Sequence, residues 1–263
     1  MAERPERRPR RVTTAQVRTV ERITPHMIRV VLGGPGLEGL VIGEYTDHYI
    51  KLQFPAEGEG ERPRTRTYTV RAWDAGEPAL TVDLVHHGDV GLAGPWAASV
   101  RPGDEITFGG PGGGYAPDPA ADWHLLAGDE SALPAIAASL ERLEPGARAH
   151  VFVEVAGPEE EQKLETAADA VVTWLHRGSS PVGERLVRAV TALDFPAGDV
   201  HAFVHGEAGF VKELRRLLLL ERGVPRDRAS ISGYWRLDHD EDGWQAGKRD
   251  WNRQVELEQD GPA

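Results

Sequence analysis

The stretch Gly109-Gly-Pro-Gly-Gly-Gly-Tyr-Ala-Pro-Asp-Pro119 divides the chain into two halves of different periodicity. Glycine tolerates positive φ and proline cannot donate a ladder hydrogen bond, so this segment predicts a break between two folding units. Before it, strand-like runs at 12–21, 27–32, 48–54, 65–73, 79–86 and 104–108 are separated by Gly, Pro and acidic turns. Short strands at such spacing predict an antiparallel barrel or sandwich. After it, apolar runs alternate with helical patterns: 123–127 then 131–143, 150–155, 171–175 then 183–193, 200–204 then 209–222, and 231–235. That alternation predicts βαβ units and a mostly parallel sheet. A last segment, 247–258, places Trp251 and Val255 at i, i+4, as in an amphipathic C-terminal helix. The expected class is therefore α+β with two domains, a β domain over 12–116 and an α/β domain over 117–263, after a tail at 1–11.

Composition narrows the function classes. The chain has 263 residues, with 30 Lys plus Arg against 42 Asp plus Glu, a net charge of −12. That charge repels a phosphate backbone, so no nucleic-acid partner is expected. Arg4, Arg7, Arg8, Arg10 and Arg11 sit among prolines and acids and read as a solvated tail. No run of ~18 apolar residues occurs and no secretory stretch opens the sequence, which predicts a cytoplasmic protein without a membrane span. Zero cysteines exclude disulfides, Cys-ligated zinc, iron–sulfur clusters and thiol nucleophiles. Redox chemistry here would be borrowed from a cofactor. His48 and His239 lack the companions that a metal site needs, so no metal ligands are assigned.

Arg66-Thr-Tyr-Thr-Val-Arg71 is the most informative stretch. In a strand, Arg66, Tyr68 and Val70 face one way and Thr67, Thr69 and Arg71 the other. A tyrosine ring can lie against a planar heterocycle, an arginine can grip a pyrophosphate bidentately, and a threonine can bond a ring nitrogen or carbonyl. The same pattern also describes an amphipathic strand with surface arginines. Further on, Gly128-Asp-Glu-Ser-Ala-Leu-Pro follows an expected strand and opens an expected helix, where free N–H groups favour an anion. Asp129 and Ser131 serve equally as plain helix caps, and Glu207 as an acid favouring a helix dipole. Near the end of the second strand of this half, Glu154 and Glu159-Glu-Glu161 leave Lys163 as the first cation. On charge alone that disfavours a 2′-phosphate and leans toward NADH, although Arg177 keeps NADPH open.

Four segments together, spanning about residues 12–256, resemble the siderophore-interacting, FAD-binding branch of the ferredoxin-reductase-like flavoproteins. They are Arg66-Thr-Tyr-Thr-Val-Arg71, the run from Asp83 to Ala97, Gly128-Asp-Glu-Ser-Ala-Leu-Pro-Ala-Ile136, and Gly206-Glu-Ala208 with Gly233-Tyr-Trp-Arg236. The resemblance implies a six-stranded antiparallel flavin barrel followed by an NAD(P)H-binding α/β domain. It implies that FAD is held by Arg66, Tyr68, Thr69 and Val70 and by Asp83, Val85, His87, Gly88, Gly91 and Ala93. In the family the second motif reads His-Gly-x-x-Gly-Pro-Ala, and Leu92 here stands in place of the proline. For the nicotinamide nucleotide the resemblance points to Asp129, Ser131, Ala132, Gly206 and Glu207, with Ser131 where the family carries Thr.

The implied activity is reduction of Fe(III) in a ferric siderophore by NAD(P)H, hydride passing to FAD and single electrons from flavin to iron, so that Fe(II) is released. No side chain is expected to carry the chemistry itself. The chain has four lysines, at 51, 163, 212 and 248. Lys51 lies in Asp47-His-Tyr-Ile-Lys51, which matches a family pattern just before the flavin motif. It is the first choice to hold an anionic chelate, followed by Arg236 and Lys248; an edge-protecting lysine is the plain alternative. Two other functions fit the same motifs: a flavin reductase that takes electrons from a protein such as ferredoxin, and a siderophore-binding module in which FAD is structural.

Overall fold

The computed structural model describes residues 12–56, 58, 60, 63–88 and 91–260, so the tail expected at 1–11 lies outside the described residues. Six antiparallel strands, β1 (Val12–Thr24), β2 (Met27–Gly33), β3 (Tyr49–Phe54), β4 (Arg64–Asp74), β5 (Ala79–Val85) and β6 (Glu105–Gly112), close into a barrel in the order β1-β2-β5-β4-β3-β6. Strand alternation fills it. On β3, Ile50, Leu52 and Phe54 turn inward, while Tyr49, Lys51 and Gln53 turn outward. The inward side chains meet Val30, Leu32, Val82, Leu84 and Phe108 in one core. Each such buried side chain contributes about 1.5–3 kcal/mol.

The structure differs from the sequence reading at the glycine run, whose first residues are sheet. β6 continues to Gly112, pairing Gly109 with Lys51 and Gly112 with Tyr49. Three steps on β6 therefore match two on β3, and Pro111 falls at this irregularity, where a missing N–H costs no regular ladder bond. Helix α1 (Ala93–Ser99) is also absent from the sequence reading. It is short and contains Gly94 and Pro95, so propensity conceals it. Packing holds it instead: Trp96 meets Phe54 edge to face at 5.9 Å.

In the second half, β7 (Trp123–Asp129), β8 (Arg148–Val155), β9 (Asp169–His176), β10 (Val200–Glu207) and β11 (Ala229–Trp235) form a parallel sheet ordered β11-β10-β7-β8-β9. β7 is buried along its whole length, as a central parallel strand must be. Helices α2 (Leu133–Arg142), α3 (Glu184–Thr191) and α4 (Ala208–Arg216) connect the strands, and α4 ends in a π turn over Leu217–Glu221. The chain leaves β7 toward β8 and leaves β10 toward β11, in opposite directions. The crevice between the C-terminal ends of β7 and β10 is thus a topological switch point, where open α/β sheets bind ligands.

Helix α5 (Glu241–Asp260) starts six residues before the sequence reading put it. Gly243 and Gly247 obscure that start, but Asp240 Oδ1 accepts from Gly243 N–H at 2.7 Å and caps the first turn. Trp244 and Val255 are buried, and the Trp244 and Trp251 rings meet at 5.4 Å. The two halves touch through α2, which packs on β4 with Arg71 Nη1 donating to Glu141 at 3.1 Å, while Thr46 Oγ1, just before β3, lies 2.8 Å from Ser139 Oγ. Elsewhere on that seam, Thr24 Oγ1 and His26 N–H both donate to Glu160, at 2.5 and 3.2 Å. No helix among the described residues is long and apolar enough to cross a membrane.

Candidate functional site

A cleft of about 610 Å³ opens between barrel, sheet and α5, a size typical of small-molecule sites. Its barrel wall is the outward face of β3 and β4. Tyr49 lies opposite Thr69, and Lys51 opposite Thr67. Thr67, Tyr68 and Thr69 all line the cleft although they are consecutive. β4 pairs regularly with β3 over these residues, and its register shift against β5 comes just after them, between Val70 and Ala72. Burial pushes the Tyr68 phenol well above its ordinary range, so the ring stays neutral. Tyr234 of β11 lines the same cleft, and burial raises its phenol likewise.

The opposite wall comes from β10, β11 and α5. Lys248 Nζ donates to Ser232 Oγ at 3.3 Å. Its ammonium is held below the ordinary lysine range, first by burial and then by the charge of Lys51 across the cleft. Two cations from opposite halves of the molecule therefore face one opening, and Arg236 lines it too. His205, 3% exposed, is driven down to about 3 by burial and stays neutral. Its Nε2 pairs with Ser230 Oγ at 2.9 Å, while its Nδ1 and the Trp244 indole N–H are buried without a partner among the described residues.

Of the sequence-predicted residues, the cleft gathers Lys51, Tyr68, Thr69, Asp83, Val85, His87, Ser131, Arg236 and Lys248. Asp83 is buried and gripped bidentately by Arg29 at 2.7 and 2.8 Å. Burial lowers the His87 imidazole. Val70 belongs to the barrel core and Ala132 is fully buried at the start of α2. Gly88 and Gly91, at φ +70° and +88°, would each carry a Cβ into open space, and they precede Ala93 at the start of α1. Backbone N–H groups there are approachable from outside.

Arg66 does not open on the cleft. It is buried beneath the first turn of α5, bidentate to Asp242 at 3.0 and 2.9 Å, with Glu241 Oε2 3.5 Å from its Nε. Glu241 also accepts from Thr67 N–H at 2.9 Å. A carboxylate pair on α5 thus occupies the fork that the sequence reading gave to a pyrophosphate. The Arg66 bond holds the Asp242 carboxyl below its ordinary range, and burial pushes Glu241 up.

At the switch point, Asp129 and Glu207 face inward. Asp129 is 0% exposed and accepts from Ser131 N–H and Oγ at 2.9 and 2.5 Å, Glu207 N–H at 2.9 Å and Trp235 Nε1 at 2.8 Å. Glu207 caps α4 through Gly209 and Phe210 N–H, and also accepts from Leu237 N–H at 3.2 Å. Gly206 makes room for this junction, since a Cβ there would lie 2.5 Å from Phe210 and 2.7 Å from Asp129. Glu154 is likewise spent internally, on Gly183 N–H at 2.8 Å and Arg177 at 3.5 Å. Its charge therefore says nothing about a 2′-phosphate. Sequence reasoning did not single out Tyr49, Thr67, His205, Ser232, Tyr234 or Trp244. Tyr49 carried a signal, two residues before Lys51 on one strand face.

Comparison with known proteins gives this cleft a family. Residues 121–238 match the siderophore-interacting protein model, and residues 16–62 and 58–115 match the siderophore-interacting FAD-binding domain. The chain is 46% identical to an uncharacterized protein of Mycobacterium tuberculosis, over 89% of this chain and 94% of that one. It is 32% identical to the ferric vibriobactin reductase ViuB of Vibrio cholerae, covering 84% and 88%, and 32% identical to the NADPH-dependent ferric-chelate reductase of Escherichia coli, covering 82% and 89%. Among solved structures, a siderophore utilization protein from T. fusca superposes with a TM-score of 0.79 at 39% identity, over 89% of this chain and 96% of that one. A ferredoxin-NADP+ reductase from Plasmodium falciparum, at 10% identity over 85% and 96%, shares the fold with a TM-score of 0.66. The chain belongs to the siderophore-interacting protein family, an FAD-binding barrel joined to a ferredoxin-reductase-like α/β half.

Proposed function

We propose that this chain is an NAD(P)H-dependent reductase of ferric siderophores. The observation that carries the reading is the pairing of Lys51 and Lys248 across the cleft, beside Tyr68 and Thr69. Two like charges lodged in a partly desolvated opening favour an anion between them, with Glu241 beside Lys51 offsetting part of that field, and a net charge of −12 makes that local site the means of drawing one in. An anionic ferric chelate fits this description. The iron is substrate here, and among the described residues no group of three or more His, Asp or Glu side chains is placed to hold a metal ion.

The cleft residues also fit a flavin. Tyr68 offers a neutral ring face, Thr69 a hydroxyl, and the unpartnered Trp244 N–H and His205 Nδ1 offer polar atoms to a heterocycle. Gly88, Gly91 and Ala93 present backbone N–H groups for phosphates, while Val70, Asp83, Val85 and His87 support that side. FAD, when bound, accepts a hydride and gives up electrons singly, which is the conversion that Fe(III) requires. Ser131 and the first turn of α2 form the ledge for the nicotinamide nucleotide. Asp129, Ala132, Gly206 and Glu207 shape that ledge from beneath. His205, held neutral by burial, adds no charge of its own to the cleft.

Donor identity is tested by adding NADH, NADPH or reduced ferredoxin separately to the FAD-loaded protein under anaerobic conditions. Rapid bleaching of the flavin by a nicotinamide nucleotide is expected. Bleaching by ferredoxin alone favours the protein-donor alternative, and no bleaching by any donor favours a binding module with structural FAD. Tyr68→Ala is expected to emerge from purification with well under half the wild-type flavin; equal flavin content removes Tyr68 from the site.

A pH dependence follows from Lys248. Its proton leaves below the ordinary lysine value of about 10.4, so anionic-chelate affinity falls as pH rises through that lowered value. Lys248→Met lacks this alkaline limb. Titrations of hexacyanoferrate(III), an anionic ferric complex that withstands alkaline hydrolysis, check it across alkaline pH, and identical limbs in both proteins contradict the assignment.

A further inference from the structure

We propose that the cleft selects ferric chelates whose ligand arms carry aromatic rings, and that Tyr49, seated on the glycine run, is the selecting residue; the inference rests on the ferric-chelate reading above. Tyr49 is 38% exposed and lines the cleft two residues before Lys51, directly across the sheet from Thr69. Tyr45, 49% exposed, extends the aromatic surface outward and meets His48 edge to face at 5.5 Å. Of the two, Tyr49 lines the cleft, and a tyrosine offers a ring partner a large apolar face with a polar tip.

The glycines beneath explain how the rings sit there. A Cβ at Gly112 would lie 2.5 Å from Tyr49 Cζ and 2.6 Å from its hydroxyl. A Cβ at Gly113 would lie 2.8 Å from His48 Nδ1 and 3.0 Å from Tyr45 Cδ2. Neither glycine has a positive φ, so the demand is for space and not for backbone freedom. Residues that read as linker are instead the seat of aromatic side chains, with Tyr49 over Gly112 lining the cleft.

A ring face with ammonium groups beside it recognises a specific chemistry: an aromatic ring bearing anionic oxygen donors, as in catecholates, phenolates and aryl hydroxamates. The ring stacks on Tyr49 while the oxygens meet Lys51 and Lys248. Asp47 also borders this side, but its carboxylate accepts from Gly114 and Tyr115 N–H at 2.8 and 2.9 Å and serves the loop. An aliphatic chelate leaves the Tyr49 ring wet and gains only the charge attraction.

The test uses the FAD-loaded, oxidised protein without reductant, so that binding is read from tryptophan fluorescence and no turnover occurs. Ferric tris(benzohydroxamate) and ferric tris(acetohydroxamate) are both neutral and differ in their rings; ferric trioxalate is anionic and ringless. Wild type is expected to bind the benzohydroxamate about tenfold more tightly than the acetohydroxamate, a typical gain for one aromatic stacking contact. Tyr49→Ser brings that ratio close to one and leaves trioxalate binding unchanged, whereas Tyr49→Phe keeps the ratio. Gly112→Ala, which displaces the ring, also lowers it. A wild-type ratio near one, or an unchanged ratio in Tyr49→Ser, overturns the proposal. Trioxalate binding that ignores Lys51→Met strikes instead at the ferric-chelate reading, and a chain that binds none of the three chelates refutes both.

Discussion

Asp129→Ala is expected to lower the thermal midpoint by roughly 10 °C, corresponding to about 3–5 kcal/mol in a chain of this size. The carboxylate is 0% exposed and receives four hydrogen bonds from three segments. Alanine strands the Glu207 N–H and the Trp235 indole, each at the ordinary cost of about 1–3 kcal/mol for a buried unpaired group. The ends of β7 and β10 and the start of α4 lose their common anchor. Burial, aided by the Glu130 charge and opposed by these hydrogen bonds, pushes the Asp129 carboxyl up to about 6. The folded chain then holds this proton in a range where the unfolded chain, near ~3.9, has released it. The stability it contributes is present below the unfolded value, lost as pH rises toward 6, and constant above. Denaturant melts across that window should show this slope in wild type and its loss in Asp129→Asn. A slope retained by the Asn variant assigns it to another group.

Removing both cleft lysines is the second large effect. Lys51→Met and Lys248→Met are each expected to weaken binding of an anionic ferric chelate about tenfold, and together somewhat more than a hundredfold, with neutral chelates little changed. The excess over additivity comes from their mutual repulsion. In Lys51→Met the neighbouring positive charge is gone, Lys248 holds its proton to higher pH, and the surviving cation binds more strongly than it did in the pair. The alkaline limb of binding should move upward in that variant. Added salt should weaken wild type more than either variant. Equal losses for neutral and anionic chelates would place these residues in the packing of the cleft and not in charge recognition.

Much of this architecture is legible from residue order. The barrel strands announce themselves because one face of each is core and the other is wet, as on β3, where Ile50, Leu52 and Phe54 alternate with Tyr49, Lys51 and Gln53. The parallel strands are equally plain, β7 being apolar throughout. What escapes is whatever depends on a distant partner. Arg66 meets Asp242 across 176 residues, and no local pattern announces that pairing. Asp129 reads as a helix cap, yet Glu207 and Trp235 reach it from other strands. Helices α1 and α5 carry glycines that weaken their local signal and are held by buried tryptophan contacts instead. The glycine run illustrates both limits: its composition speaks of a loop, while the Tyr49 and Tyr45 rings packed over it explain why side chains are absent.

The most direct test of the central claim is production of Fe(II) by the FAD-loaded protein, followed with a ferrous-specific chromogenic chelator under anaerobic conditions. With a nicotinamide nucleotide and an anionic ferric chelate present, two Fe(II) are expected per nucleotide oxidised, as electron balance requires, with the rate cut sharply in the Lys51→Met, Lys248→Met double variant. A flavin that the nucleotide bleaches fully, but that no ferric chelate then reoxidises, would contradict the account.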